Sequence, residues 1–252
     1  MEKSLTIQNT FRKMQIHPFL YLTFLLCIIT GYFKECLLFM IFILVHEMGH
    51  IIVGLHYHWN ISKIIFLPLG GITIFEEKIN KPMKEEFLIA SAGILFQTFF
   101  YLLVSFFCHS EILTTIHYSI LLFNILPIYP LDGSKIINIG MNLIFSFQKS
   151  FLAMLLLSFV TLLILSTLYY KNLVFALGLF FLWIGFLKEY HKRHYVFQKF
   201  LLERYLETFP FTKHKQIKGL YYQKMKRDYL HTFLIENESI KERTFLRRLF
   251  DK

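Results

Sequence analysis

The sequence predicts an α-helical polytopic membrane protein with about six transmembrane helices, a short membrane-associated β-hairpin and a small cytoplasmic C-terminal α/β segment. Three observations carry that expectation. Of the 252 residues, 55% are hydrophobic and only 17% are charged, an apolar excess that a soluble core of this length does not need. Apolar runs recur at roughly the 17–25 residues required to cross a bilayer. The basic residues then gather on one side of those runs.

The first apolar run, near residues 15–33, is interrupted by Thr30-Gly31 and leads into a second near 35–58. It has no small-residue cleavage site, so it is expected to stay as a span. "ISKIIFLPLGGITIFEE", Ile61–Glu77, consists of two β-prone runs around a Pro-Leu-Gly-Gly turn and predicts a hairpin, with Gly70 and Gly71 serving the turn. The polar loop "KINKPMKEE" ends in Glu85 and Glu86, which open a third span near 86–108. Further spans fall near 117–140, 151–169 and 172–188.

Residues 1–188 thus form a membrane body and residues 189–252 a basic soluble tail. In the tail, Phe197, Phe200, Leu201 and Tyr205 recur at helical spacing and predict an amphipathic helix that ends before Pro210. "HTFLIE" suits one strand, and Ser239 with Glu242 three positions later reads as a capping box opening a last helix.

With a cytoplasmic N-terminus, the outer loops hold only Lys34 and Lys171. The inner side receives Lys3, Arg12, Lys13, Lys63, Lys78, Lys81, Lys84, Lys135, Lys149 and the tail. That asymmetry puts both termini in the cytoplasm. The net charge of +10 therefore points to anionic lipid or an acidic partner, and no direct nucleic-acid contact is expected. Cys27, Cys36 and Cys108 lie in or beside apolar runs without paired spacing and read as small apolar packing residues.

One apolar run carries chemistry. "FILVHEMGHIIVGL" places His46, Glu47 and His50 at bilayer depth, where ionisable groups are costly and usually functional. His46 and His50 are one helical turn apart, so both imidazoles reach one metal ion while Glu47 stands beside its water. Zinc suits imidazole ligands, and a neighbouring carboxylate can take the proton of water attacking a carbonyl. The competing reading is a pair of buried histidines bonded to neighbouring helices. A tetrahedral site needs a third protein ligand. Asp132, in "NILPIYPLDG", lies in an apolar segment broken by Pro127 and Pro130, the kind of break tolerated at depth beside a wet cavity. Asp132 also suits the start of the helix that follows. His56 and His58 read as interfacial, His109 and His117 as solvated flanks of an outer loop. His191, His194, His214 and His231 belong to the tail without metal spacing.

"HEMGH" in one span and "NILPIYPLDG" in a later one resemble the site-2 protease family of intramembrane metalloproteases, and the flanks resemble its endospore-former branch. "HPFLYLTFLLCIITGYFKE", "FLPLGGITIFEE", "KPMKEEFLIASAG" and "KEYHKRHYVFQKFLLERY" extend the likeness over the membrane body and into the tail. Ile94 departs from it, standing where the family often has proline after glycine. The resemblance implies one zinc ion held by His46, His50 and Asp132, with Glu47 as catalytic base.

For the substrate, the resemblance implies the inactive precursor of the late mother-cell sigma factor, cleaved in the membrane around the forespore. It also implies inhibitory membrane partner proteins and a tail related to cystathionine β-synthase-type modules, which at about sixty residues is short for a domain. The hairpin could receive an extended substrate by strand addition, with Asn124 holding it by side-chain hydrogen bonds. Two other readings compete. One is a protease of this class acting on another substrate, such as an anti-sigma factor. The other is a metal-binding membrane transporter, disfavoured by the absence of internal repeats.

Overall fold

A computed structural model of the chain describes residues 13–67, 70–76, 78–108, 110–235 and 238–251. The chain divides into two compact units, one of residues 1–77 with 88–125, the other of 78–87 with 126–252.

In the first unit, β1 (Met14–Ile16) pairs in parallel with β2 (Ile61–Leu67), which pairs antiparallel with β3 (Gly70–Phe75). The predicted hairpin is present, and Leu67 opposite Gly70 closes it; Pro68, Leu69 and Glu77 lie outside the described residues. The order β1-β2-β3 leaves β3 at the edge of the sheet. Helix α1 (Pro18–Thr30) opens with proline in its first turn and ends at Gly31 in the left-handed region, φ +82°. This corrects the predicted first span. Gln15 and Ile16 belong to β1, and 13 helical residues reach about 20 Å, short of a hydrocarbon core about 30 Å thick.

Helix α2 (Phe33–His56) carries the histidine motif, and α3 (Met83–Phe107) and α4 (Glu111–Ile125) follow. Gly49 lets α2 approach α3 closely, since a Cβ there would lie 2.5 Å from the Ala92 carbonyl oxygen. Phe42, Ile43, Ile64, Leu113 and Ile120 are among the residues of this unit's core.

In the second unit, α5 (Asp132–Ile144), α6 (Phe147–Tyr169) and α7 (Leu173–Leu206) precede the tail. Among the described residues, α2, α3 and α6 are long and apolar enough to cross a membrane, while α1 and α4 are apolar but shorter. The predicted span 117–140 is not one helix. It divides into α4 and α5 around residues 126–131, where Pro127 and Pro130 remove amide donors and push their predecessors out of helical geometry. The predicted span at 172–188 and the amphipathic helix after it are continuous in α7. No proline falls between Leu173 and Leu206 to stop it. Against α6, Trp183 donates to Ser166 Oγ at 3.1 Å and packs edge-on to Phe159.

The tail holds a second sheet, with β4 (Lys213–Lys218) parallel to β5 (Tyr229–Ile235) and β6 (Glu238–Lys241) antiparallel to β5, followed by α8 (Glu242–Phe250). Phe200 and Leu201 of α7 join Ile217, Phe233, Phe245 and Leu246 in its core. The capping box does not form. Ser239 lies in β6, Lys241 occupies the N-cap, and Glu242 turns inward to Arg204 at 3.0 Å and His231 at 3.0 Å. Arg204, almost fully buried, also donates to the carbonyls of Tyr229 and Lys226 and to Asn80 Oδ1. A buried guanidinium needs such a set, because an unpaired charge there would be far costlier than the pair.

The hydrogen bonds fix His231's tautomer. Its Nε2 accepts from the Lys226 amide, so the proton sits on Nδ1 and is donated to Glu242. Burial accordingly holds the imidazole below its usual range despite the carboxylate. Glu242 is opposed by its own burial, but His231 and Arg204 outweigh that and hold it below the usual carboxylate range. Both shifts have the same sign, because the unfolded chain binds more protons than the folded one as pH drops. His231's contribution is complete above its unfolded value near about 6.5 and is lost as pH falls through its lower folded value. That of Glu242 goes at still lower pH. Hydrogen-exchange protection of the β5 amides, corrected for intrinsic rates, is expected to fall between about pH 7.5 and about pH 5.5, and His231→Gln to flatten the profile. Equal protection at both values would refute the tautomer assignment.

Candidate active site

On α2 the spacing predicted from sequence is realised. His46, Glu47 and His50 are all buried, and one ligand atom from each lies within 4.8 Å of the others. Each imidazole is held from behind. His46 Nδ1 faces Gln97 Oε1 at 3.0 Å, and His50 Nδ1 faces the Ile89 carbonyl at 2.7 Å. Both acceptors need a proton, so each Nδ1 carries one and each Nε2 presents a lone pair. The two Nε2 atoms point at each other 3.1 Å apart. Two imidazole lone pairs aimed at one place form a donor set for a borderline-soft cation such as zinc.

The space in front of them exists because residue 93 has no side chain. A Cβ on Gly93 would lie 2.4 Å from His50 Nε2 and 2.7 Å from His46 Nε2. The residues therefore fit a small metal ion, with His46 and His50 as the ligands this unit supplies.

Glu47 is set by the edge strand. Along β3, Gly71 and Thr73 turn toward α2 while Ile72 and Ile74 turn away and are exposed, the two-residue period of a strand. Thr73 Oγ1 donates to Glu47 Oε2 at 2.6 Å. A Cβ on Gly71 would lie 2.4 Å from Glu47 Cγ, so Gly71 permits this approach and is not a turn residue as expected. Gly70, opposite Leu67, keeps the turn role.

Asp132 is buried in the second unit, in the first turn of α5, where its carboxylate accepts from Lys135 Nζ at 2.9 Å. Leu131 occupies the N-cap of that helix, so Asp132 does not cap it. Asn124, on α4, donates its Nδ2 to the Ile120 carbonyl one turn back. His56 and His58 are exposed. His109 lies outside the described residues. His117 departs from expectation: it is buried, stacked on Tyr101 with centroids 4.2 Å apart. The three cysteines are free; Cys27 and Cys36 are half-buried and Cys108 is exposed.

Sequence reasoning passed over Gln97. Fully buried, it accepts from His46 and donates Nε2 to the His117 carbonyl at 3.0 Å. A signal was present, since a lone glutamine amid the apolar run of α3 is the kind of buried polar group that bilayer depth makes expensive. Gln97→Leu removes the acceptor that fixes the His46 tautomer. Zinc affinity, read by chelator competition, is expected to fall about 10–100-fold, the usual effect of losing such a support. Gln97→Glu, which keeps the acceptor, should retain most of it.

This histidine–glutamate centre, set on an apolar helix beside a small sheet, is that of a membrane-embedded metallopeptidase. The model of peptidase family M50 matches residues 35–111, and the chain belongs to that family, the site-2 proteases. It is an integral membrane zinc metalloendopeptidase. Among curated proteins it is 36% identical over 205 residues to stage IV sporulation protein FB of Bacillus subtilis (strain 168), covering 77% of this chain and 71% of that one. A zinc metalloprotease of Methanocaldococcus jannaschii is 26% identical over 125 residues, 45% of this chain and 36% of that protein. The solved site-2 protease from the same archaeon shares the fold, with a TM-score of 0.55 at 24% identity over 70% of this chain and 89% of that chain.

Proposed function

We propose that this protease removes the pro-segment from the inactive precursor of the late mother-cell sigma factor, in the mother-cell membrane surrounding the forespore. Both termini lie in the cytoplasm, residues 1–188 form the protease domain, and residues 189–252 form a cytoplasmic tail. In this reading His46, His50 and Asp132 hold one zinc ion, and inhibitory membrane partners restrain the enzyme until it is needed. The likeness to stage IV sporulation protein FB over 71% of that protein supports the substrate class. The facing Nε2 atoms of His46 and His50, with Glu47 beside them, carry the chemistry.

Bound zinc supplies Lewis acidity toward the scissile carbonyl. The side chains do the rest. Thr73 fixes Glu47 Oε2, leaving Oε1 to take a proton from the attacking water and pass it to the leaving amide nitrogen. A peptide bond inside a helix has its carbonyl engaged, so the substrate must first be extended. The edge of β3 gives such a segment main-chain hydrogen bonds close to Glu47, with Gly70 and Gly71 keeping the approach open. Asn124, which gives one Nδ2 hydrogen to the Ile120 carbonyl, accepts from it through Oδ1.

Co-expression of the full chain with a sigma-factor precursor and, in parallel, with an anti-sigma factor tests the substrate. Cleavage of the precursor alone is the expected result. Cleavage of the anti-sigma factor alone would keep the protease and replace its substrate. For the third ligand, Asp132→Asn should weaken zinc retention by more than the roughly 10–100-fold cost of losing a supporting bond. Unchanged zinc content would return Asp132 to its pairing with Lys135.

A further inference from the structure

We propose that the lysine-lined cleft at the junction of α5 and α6 binds the phosphate headgroups of anionic phospholipid. The cleft encloses about 540 Å³, and five of its ten lining residues are lysines, with no aspartate or glutamate among them. Lys149 comes from the first turn of α6, Lys215 and Lys218 from β4, Lys224 from the end of a short 3-10 helix, Tyr222–Lys224, and Lys226 from the loop between it and β5. Some exposed basic residues elsewhere in this unit find carboxylates: Lys78 pairs with Glu207, Lys192 with Glu189 and Arg247 with Asp251. Among the described residues none of the five cleft lysines has such a pair. Lys226 is instead drawn to the carbonyls of Leu143 and Ile144 at the end of α5. Burial and the neighbouring Lys215 push its ammonium below the usual range, as an uncompensated positive field would.

A second observation is independent of charge. Ser146 is 7% exposed, and its hydroxyl is buried without a hydrogen-bond partner. It lines the same cleft and sits at the N-cap of α6, where its side chain makes no capping bond. A buried hydroxyl left unsatisfied costs stability, and at a helix N-terminus a phosphate oxygen is the natural acceptor for it.

The neighbouring surface selects lipid over a soluble phosphate or an acidic protein segment. Leu143, Ile144 and Phe145 are 61%, 70% and 47% exposed, and α6, which starts two residues later, is long and apolar enough to cross the bilayer. An apolar ridge directly before a span lies at acyl-chain level and places the lysines at headgroup level, where anionic lipid attracts them. The proposal needs only that α6 spans the membrane, so it stands or falls apart from the choice of protease substrate.

The test uses the full chain in nanodiscs of equal phosphatidylglycerol and phosphatidylcholine, with retained lipids counted by native mass spectrometry. The parent protein should retain phosphatidylglycerol about tenfold over phosphatidylcholine. Replacing Lys149, Lys215, Lys218 and Lys224 by Gln should bring the ratio near parity, and Arg at the same four positions should restore it. Should the Gln set not fold, Ser146→Ala carries the test and must lower the ratio by itself. A control set with Lys192, Lys213, Arg243 and Arg248 changed to Gln should keep the parent ratio. A preference that survives the cleft substitutions, or is lost equally in the control, overturns the proposal. So does displacement of the lipid by soluble glycerol phosphate, or a cleft variant that loses an acidic peptide while keeping its phosphatidylglycerol.

Discussion

Glu47→Gln should lose peptide-bond hydrolysis while retaining zinc as tightly as the parent enzyme. Glutamine preserves the shape of the side chain, and its carbonyl oxygen can still accept from Thr73 Oγ1, which donates to Glu47 Oε2 at 2.6 Å. It cannot take a proton from water. Loss of a positioned general base costs about 10²–10⁴ in rate, or roughly 3–5 kcal/mol of transition-state stabilisation at about 1.4 kcal/mol per decade. Metal binding is a separate matter, because the lone pairs of His46 and His50 are fixed by Gln97 and Ile89 and not by Glu47. Matched preparations assayed for zinc content and for cleavage of a co-expressed substrate separate the two roles. Parent-level turnover would remove Glu47 from the chemistry, and a parallel loss of zinc would make it a ligand.

What was legible in the sequence follows the range of the interactions involved. The histidine pair could be read because helical geometry alone brings residues four apart to one face, and the hairpin because alternation and a Pro- and Gly-bearing break between two β-prone runs are local. Strand β1 was not legible. Three residues have no period of their own, and the partner of Ile16 is Phe66, fifty positions later. The first span was overextended for the same reason. Ser239 and Glu242 satisfy a local capping pattern, yet Glu242 gains more from Arg204 and His231, both distant in sequence. His117 looked solvated because it follows an outer loop, whereas its ring lies flat on Tyr101, and its carbonyl accepts from Gln97. In each case a long-range partner outweighed a local preference.

The same face of α3 explains why Gly93→Ala, an otherwise mild change within a helix, should abolish the metal centre. Ile89, Gly93 and Gln97 succeed one another at intervals of four, and so line one face of that helix. The outer two hold His50 and His46 through their Nδ1 atoms, and the middle one leaves bare backbone where the two Nε2 atoms converge. An added methyl would stand 2.4 Å from one and 2.7 Å from the other. Neither ring can retreat without giving up its bond to the Ile89 carbonyl or to Gln97. A rearrangement on the order of 1 Å therefore falls on the ligands themselves, and misplacement of that size costs about 10²-fold in catalysis. Zinc retained after dialysis against graded chelator should drop at least as far. Gly178→Ala, in α7 with open space around the position, is the control and should be neutral or stabilising by up to about 1 kcal/mol, the usual gain from replacing a helical glycine. If Gly93→Ala kept the parent's zinc affinity and turnover, the two imidazoles would have to be free to move apart, and a centre held rigid by α3 would no longer describe this protease.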